Sequence, residues 1–160
     1  MLSITLICVG RLKESYYADA ANEYLKRLSG HCKARIVEIP ECRLPESPSG
    51  AQVETALDKE RISIQDSIPD GAATVALCIE GQELDSPGLS EYLSECALRG
   101  ASRLCFIIGG SYGLHTDLKA SADTRLSMSK MTFPHNLARV MLLEQLYRAF
   151  MISAGGKYHK

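Results

Sequence analysis

Three short stretches of this chain hold the residue types that could bind or transform a small molecule. The first is Gly109-Gly110-Ser111-Tyr112-Gly113, which follows a wholly apolar run and leads into a helical one. Glycines there let the backbone approach a ligand closely, and free amides at a helix start favour an anion or a polar, adenosine-type group. The spacing is neither G-x-G-x-x-G nor a phosphate loop, because no Lys-Ser/Thr follows. Standing alone, the run reads as a tight strand-to-helix turn that needs a positive φ.

The second stretch, Ser127-Met128-Ser129-Lys130-Met131-Thr132-Phe133-Pro134-His135, alternates short polar residues with methionines and ends in a proline that opens a helix. Backbone groups and adaptable methionines suit a ligand that is part apolar and part polar. With a basic residue and a histidine flanking it, it is read as functional rather than as an edge strand. The third is the end of the chain. Arg148 could touch phosphate or stabilise developing negative charge, or simply pair with Glu144 at i, i+4. Lys157-Tyr158-His159-Lys160 is either a frayed basic end or an aromatic–histidine pair suited to stacking on a base or handling a proton. His31 and His115 have no partner pattern and read as surface or turn residues.

Strand-like and helix-like runs alternate to position these stretches. Apolar runs at 2–9, 34–39, 73–79, 104–108 and 124–128 read as strands. Helices are expected over 14–29, 51–67, 86–100, 114–122 and 134–153, with Gly30 stopping the first and Ser86-Pro87 capping the third. Residues 40–50 hold three prolines and form a loop. The alternation implies one α/β domain over 1–160 with a mainly parallel sheet covered by helices on both faces. Ligands of such sheets gather at the carboxyl ends of the strands. Leu77–Gly81, Gly109–Gly113 and Ser127–Phe133 are therefore the candidate site segments.

Composition narrows the class. At 160 residues, 46% hydrophobic and 23% charged, the chain is neither disordered, collagen-like nor a disulfide-stapled miniature. No apolar run is long enough to cross a bilayer and the first residues lack a signal-peptide pattern, so a cytoplasmic location is expected. The six cysteines are dispersed without a C-x-x-C pair, so neither a disulfide framework nor a zinc or other metal site is expected. Cys8, Cys78 and Cys105 fall in apolar runs, where a thiol behaves as a small hydrophobe. The net charge of −1 conceals an asymmetry: residues 125–160 carry six Lys/Arg against Glu144 alone. A basic end on an acidic body points to an anionic partner at one place. The last helix is apolar nearly all round, so it must be covered from more than one side, which favours a second subunit.

Taken in order, Phe106-Ile107-Ile108-Gly109-Gly110-Ser111-Tyr112-Gly113-Leu114, Met128 to His135, Arg139-Val140-Met141-Leu142-Leu143-Glu144-Gln145-Leu146-Tyr147-Arg148-Ala149 and the closing Tyr158-His159 resemble the ribosomal RNA large subunit methyltransferase H family. The amino end fits as well, with Val9-Gly10 closing a strand and Glu23-Tyr24-Leu25-Lys26-Arg27-Leu28 after it. The likeness spans nearly the whole chain. It implies a SPOUT-class enzyme that methylates N3 of a pseudouridine in 23S rRNA, acting on the assembled 70S ribosome without a separate RNA-binding domain. It further implies a deep trefoil knot within about 73–160, an exception to the rule against threaded chains, and a homodimer. S-adenosylmethionine should lie bent in the knot, against Leu77, Gly109 and Met128, Ser129, Lys130, Met131, Thr132 and Phe133. Tyr158 and His159, with Arg148 beside them, are assigned to handling the target. Tyr112 occupies a position that varies in the family and carries no specificity. No core element is missing. The alternatives are a catalytically silent, ribosome-associated protein on the same fold, and a flavodoxin-like nucleotide binder resting on the glycine loop alone.

Overall fold

Every run expected as a strand forms one, and the five lie parallel in a single sheet. The computed structural model describes residues 1–159; Lys160, part of the basic end noted above, lies outside them. The order along the chain is β1 (Ser3–Val9), α1 (Ser15–Leu28), β2 (Lys33–Ile39), α2 (Gly50–Ser67), β3 (Ala73–Glu83), α3 (Ser86–Leu98), β4 (Arg103–Ile108), α4 (Thr116–Ser121), β5 (Thr124–Ser127) and α5 (His135–Ser153). Across the sheet the order is β2-β1-β4-β3-β5.

The period of two in a strand explains the two cores. Ile4, Leu6 and Cys8 of β1 point to one face with Leu104, Phe106 and Ile108 of β4, and α1, α3 and α5 cover them. Ile7 and Val9 point to the other with Cys105 and Ile107, beneath Ile64 of α2 and Leu118 of α4. Burial on both sides is why these runs are apolar throughout rather than alternating. The helix starts follow local chemistry. Ser49 and Gln52 form a reciprocal capping box at α2. At α3 the expectation is corrected by one residue: Asp85 is the cap, accepting from the Gly88 amide, and Ser86-Pro87 lies inside the first turn.

A second correction matters more. β3 continues beyond residue 79, and its pairing with β5 slips between Leu77 and Gln82, so that Leu126 faces both. Residues 78–81 leave the ladder there and swing out. Gly81 permits this, since a Cβ would stand 2.7 Å from the Leu126 carbonyl carbon.

Helix α5 packs against both α1 and α3. Leu142, Leu143, Leu146 and Ala149 are buried in the core, while Leu137, Met141 and Met151 stay only half-covered. The all-round apolarity is therefore satisfied on one side by this chain and left open on another. No helix among the described residues is long and apolar enough to cross a membrane.

The cysteines are free thiols. Burial pushes Cys8 and Cys32 up to about 11 and Cys105 to about 12. Because the thiolate is the nucleophile, a raised pKa slows alkylation. Brief iodoacetamide treatment of the native protein at pH 8, followed by mass spectrometry, should leave Cys8, Cys32 and Cys105 unmodified. The half-buried Cys42, Cys78 and Cys96 should carry any label.

Candidate functional site

A cavity of about 750 Å³ opens at the carboxyl ends of β3, β4 and β5. Its walls are Leu77–Glu80, where β3 leaves the ladder, Ile108–Leu114 after β4, Lys119 of α4, Ser127–Ser129 and Met131–His135 after β5, and Ala138 on α5. Of the sequence-expected contacts, Leu77, Gly109, Met128, Ser129, Met131, Thr132 and Phe133 line this one space. Lys130 does not: it is exposed and lies outside the lining. The volume falls in the range of small-molecule sites. Ile79, Tyr112 and Met131 are about half exposed or more at its rim, at 50%, 49% and 72%.

Each glycine of the loop answers to a different constraint. A Cβ on Gly109 would stand 2.4 Å from the Gly113 oxygen, so the two ends of the turn touch backbone to backbone. Gly110 accepts from the Gly113 amide at 3.1 Å, closing the turn. Only Gly113, with φ +76°, needs the left-handed conformation anticipated for the run. The 127–134 stretch is not an edge strand. It is an irregular turn held by its own serines: the Ser127 hydroxyl donates to the Ser129 carbonyl, and the Ser129 hydroxyl accepts from the Met131 amide, both at 3.0 Å.

Two ion pairs fix the walls. Lys119 binds Glu80, and that bond holds the Glu80 carboxyl below the usual carboxylate range. Arg139, 1% exposed, donates to Glu38 at 2.9 Å and to the Gly10 carbonyl at 3.0 Å, tying the start of α5 to the ends of β2 and β1. The same Glu38 oxygen accepts from the Leu12 amide. Arg139 is buried but the Glu38 side chain is 40% exposed, so solvent screens the carboxylate and the pair is worth less than one buried on both sides.

The chain end is also built rather than frayed. Arg148 grips Glu144 through Nε at 3.0 Å and Nη2 at 2.6 Å, and the Tyr158 hydroxyl donates to the same carboxylate oxygen at 3.2 Å. The Arg148 guanidinium lies over the Tyr158 ring, 4.7 Å from its centroid, and Tyr147 meets that ring edge-on. The Arg148–His159 Nδ1 contact is 3.5 Å. Burial raises the Tyr158 phenol, and the Glu144 bond raises Arg148, so one stays protonated and the other charged at neutral pH. Tyr158, His159 and Arg148 are thus brought together with each other but not with the cavity, whose lining contains none of them. At about 1.5 Å per residue, His135 and Arg148 stand roughly 20 Å apart along α5.

The comparisons with known proteins decide the family. A family profile described as "Predicted SPOUT methyltransferase" matches residues 2–159. A protein of Clostridium botulinum (strain Alaska E43 / Type E3) named Ribosomal RNA large subunit methyltransferase H is 47% identical over 159 residues, 99% of this chain and 100% of its own length. The protein of that name from Clostridioides difficile (strain 630) is 44% identical over the same extent. The chain belongs to the ribosomal RNA large subunit methyltransferase H family.

Solved structures agree on the fold of this SPOUT methyltransferase. A probable methyltransferase from Bordetella pertussis Tohama I superposes with TM-score 0.60 at 13% identity, over 93% of this chain and 96% of that one. A probable methylase family protein from Haemophilus influenzae Rd KW20 gives 0.58 at 13%, over 100% and 72%. The cavity fits the methyl donor that the family implies. Its lining is largely apolar with backbone polar groups interspersed, and the Gly109 contact shows a wall with no room for even a methyl group.

The sequence reading of the methyltransferase left three residues without the places the structure gives them. His135 lines the cavity, and Glu144 is the carboxylate on which the chain end assembles. His115 is buried rather than superficial: it caps α4 by accepting from the Asp117 amide and pairs with Glu54 of α2 at 2.7 Å. For His135 a signal existed, since Pro134-His135 stands where a helix opens at a strand end.

Proposed function

We propose that this protein transfers the methyl group of S-adenosylmethionine to N3 of a pseudouridine in 23S rRNA of the assembled 70S ribosome, as a cytoplasmic homodimer. One observation carries the reading. A chain 47% identical, end to end, to a ribosomal RNA large subunit methyltransferase H presents a donor-sized cavity on the segments that the family resemblance assigns to the donor. Leu77, Gly109, Met128, Ser129, Met131, Thr132 and Phe133 would hold the donor, and Lys130 would face solvent.

When bound, S-adenosylmethionine supplies a methyl group already activated by its sulfonium, so the chemistry asks for alignment and for loss of the N3 proton, not for a metal. The cavity walls serve alignment. Tyr158 offers a stacking face whose orientation Glu144 sets. Arg148 lies 3.5 Å from Nδ1 of His159 and keeps that ring beside the guanidinium. The two groups together favour the imide anion, so the N3 proton departs to solvent as the anion forms.

The separation of cavity and chain end supports the homodimer. The two cannot meet within one chain, whereas a second copy packed antiparallel on the half-covered side of α5 would bring one copy's Tyr158-His159 to the other's cavity mouth. The exposed Ile79, Tyr112 and Met131 would be covered by that arrangement. A deep trefoil knot within about 73–160 belongs to the same reading, and it is the likeness to the family that supports it.

The deciding assay offers labelled S-adenosylmethionine and 70S ribosomes lacking the modification, with free rRNA and separated subunits alongside. The expected result is label on large-subunit rRNA from assembled ribosomes only. Donor binding without label would favour a silent ribosome-associated protein, and affinity for flavin instead of the donor would favour the nucleotide binder.

A further inference from the structure

The loop after β2 crosses in front of the glycine turn and touches it through one side chain. Glu41 Oε1 accepts from the Ser111 amide at 2.8 Å. A Cβ on Gly110 would stand 2.6 Å from that same oxygen, so the turn and the carboxylate are fitted to each other, with glycine at 110 leaving the room. The other oxygen, Oε2, lies 3.8 Å from where a Cβ on Gly10 would stand, and His135 Nε2 lies 3.4 Å from that point. Glu41 therefore reaches both the glycine turn and the surroundings of His135, two parts of the cavity wall. The next residue anchors the loop on its far side: the Cys42 amide donates at 2.9 Å to Glu60 of α2, which is 5% exposed. Glu41 itself is exposed and fills no core position.

We propose that Glu41 is a positioning residue for the methyl donor, its carboxylate holding the Gly109–Gly113 turn in the shape that receives it. The inference rests on the reading that the donor occupies this cavity. A turn of small residues on the surface has few contacts of its own to hold one conformation. A charge-assisted bond to a backbone amide is among the stronger single constraints available to it. The bond also turns the Ser111 amide outward to the loop. The loop from β2 thereby enters the donor site without touching the donor.

The test is calorimetric titration of the full-length protein with S-adenosylmethionine and its demethylated product, on wild type, Glu41→Gln and Glu41→Ala. Thermal melts and the amide resonance of Ser111 are recorded alongside. The expected result is a graded loss, with Glu41→Ala weaker by about tenfold and Glu41→Gln between the two, because an amide oxygen still accepts but without charge. The melting temperature should stay near wild type while the Ser111 amide shifts and exchanges faster. In turnover, KM for the donor should rise with kcat little changed at saturating donor. Wild-type donor affinity in Glu41→Ala, with affinity lost in Gly109→Arg, would overturn the role of Glu41 and keep the cavity. Failure of the wild-type protein to bind the donor would overturn both. A melting temperature falling in step with affinity, with the Ser111 amide unmoved, would make Glu41 a structural residue and end the proposal.

Discussion

Mixing two inactive variants, Gly109→Arg and a chain ending at Lys157, should restore methyl transfer to about one quarter of the wild-type rate. The first variant has a ruined cavity and an intact Tyr158-His159; the second has the reverse. In the proposed homodimer each site takes its cavity from one copy and its chain end from the other. Random exchange places one copy of each variant in about half the dimers, and one of the two sites in such a dimer is sound. The geometry behind this is the roughly 20 Å of α5 between His135 and Arg148. The ribosome assay on the unfractionated mixture reads the quarter; coexpression with two different tags and purification through both isolates the mixed dimers, which should reach about one half of the wild-type rate. No activity in the doubly tagged dimer would mean that the site is built within one chain. His159→Ala alone should leave donor binding nearly intact and lower turnover.

Gly109→Ala should weaken donor binding by roughly 10- to 100-fold without unfolding the protein. A single methyl group suffices because it would stand 2.4 Å from the Gly113 oxygen, and that neighbour is backbone, which cannot rotate away. The turn must open, and relieving such a clash typically costs about 1–3 kcal/mol. The displaced residues, Gly109 to Gly113, are cavity wall, so the strain is felt where the donor would bind. Gly30→Ala is the control: a Cβ there meets nothing within 4 Å. It should change neither donor affinity nor the melting temperature. Calorimetry and a thermal melt on both variants check the contrast. Equal affinity in the two would place the donor elsewhere.

How much was legible beforehand follows from range along the chain. The strands could be read because burial on two faces leaves an uninterrupted apolar signature, as in Leu104–Ile108. The cavity segments could be read because parallel sheets put ligands at strand ends. The extension of β3 through Glu80-Gly81-Gln82-Glu83 could not, since four polar or small residues carry no strand pattern. Of these only Gln82 and Glu83 pair, with Leu126 and Ser127, because β5 passes beside them. Glu41 was hidden in a proline-rich loop 70 positions from the amide it binds, and His115 takes its meaning from Glu54 on another helix. Arg148 and Glu144 were visible as an i, i+4 pair. That this pair gathers Tyr158 was not, because nothing local ties residue 158 to residue 144.

The position of β1 inside the sheet, between β2 and β4, has a consequence during synthesis. Its outward neighbour β2 follows within a few tens of residues, but its inward neighbour is β4, with Ser3 opposite Arg103. Until β4 leaves the ribosome, β1 keeps one unpaired edge and two apolar faces with their covers incomplete. At about 5–20 residues per second, that interval lasts on the order of 5–20 seconds. The nascent chain thus carries an apolar strand whose second edge is paired late, so its yield in the cell depends on whatever shields β1 while translation continues.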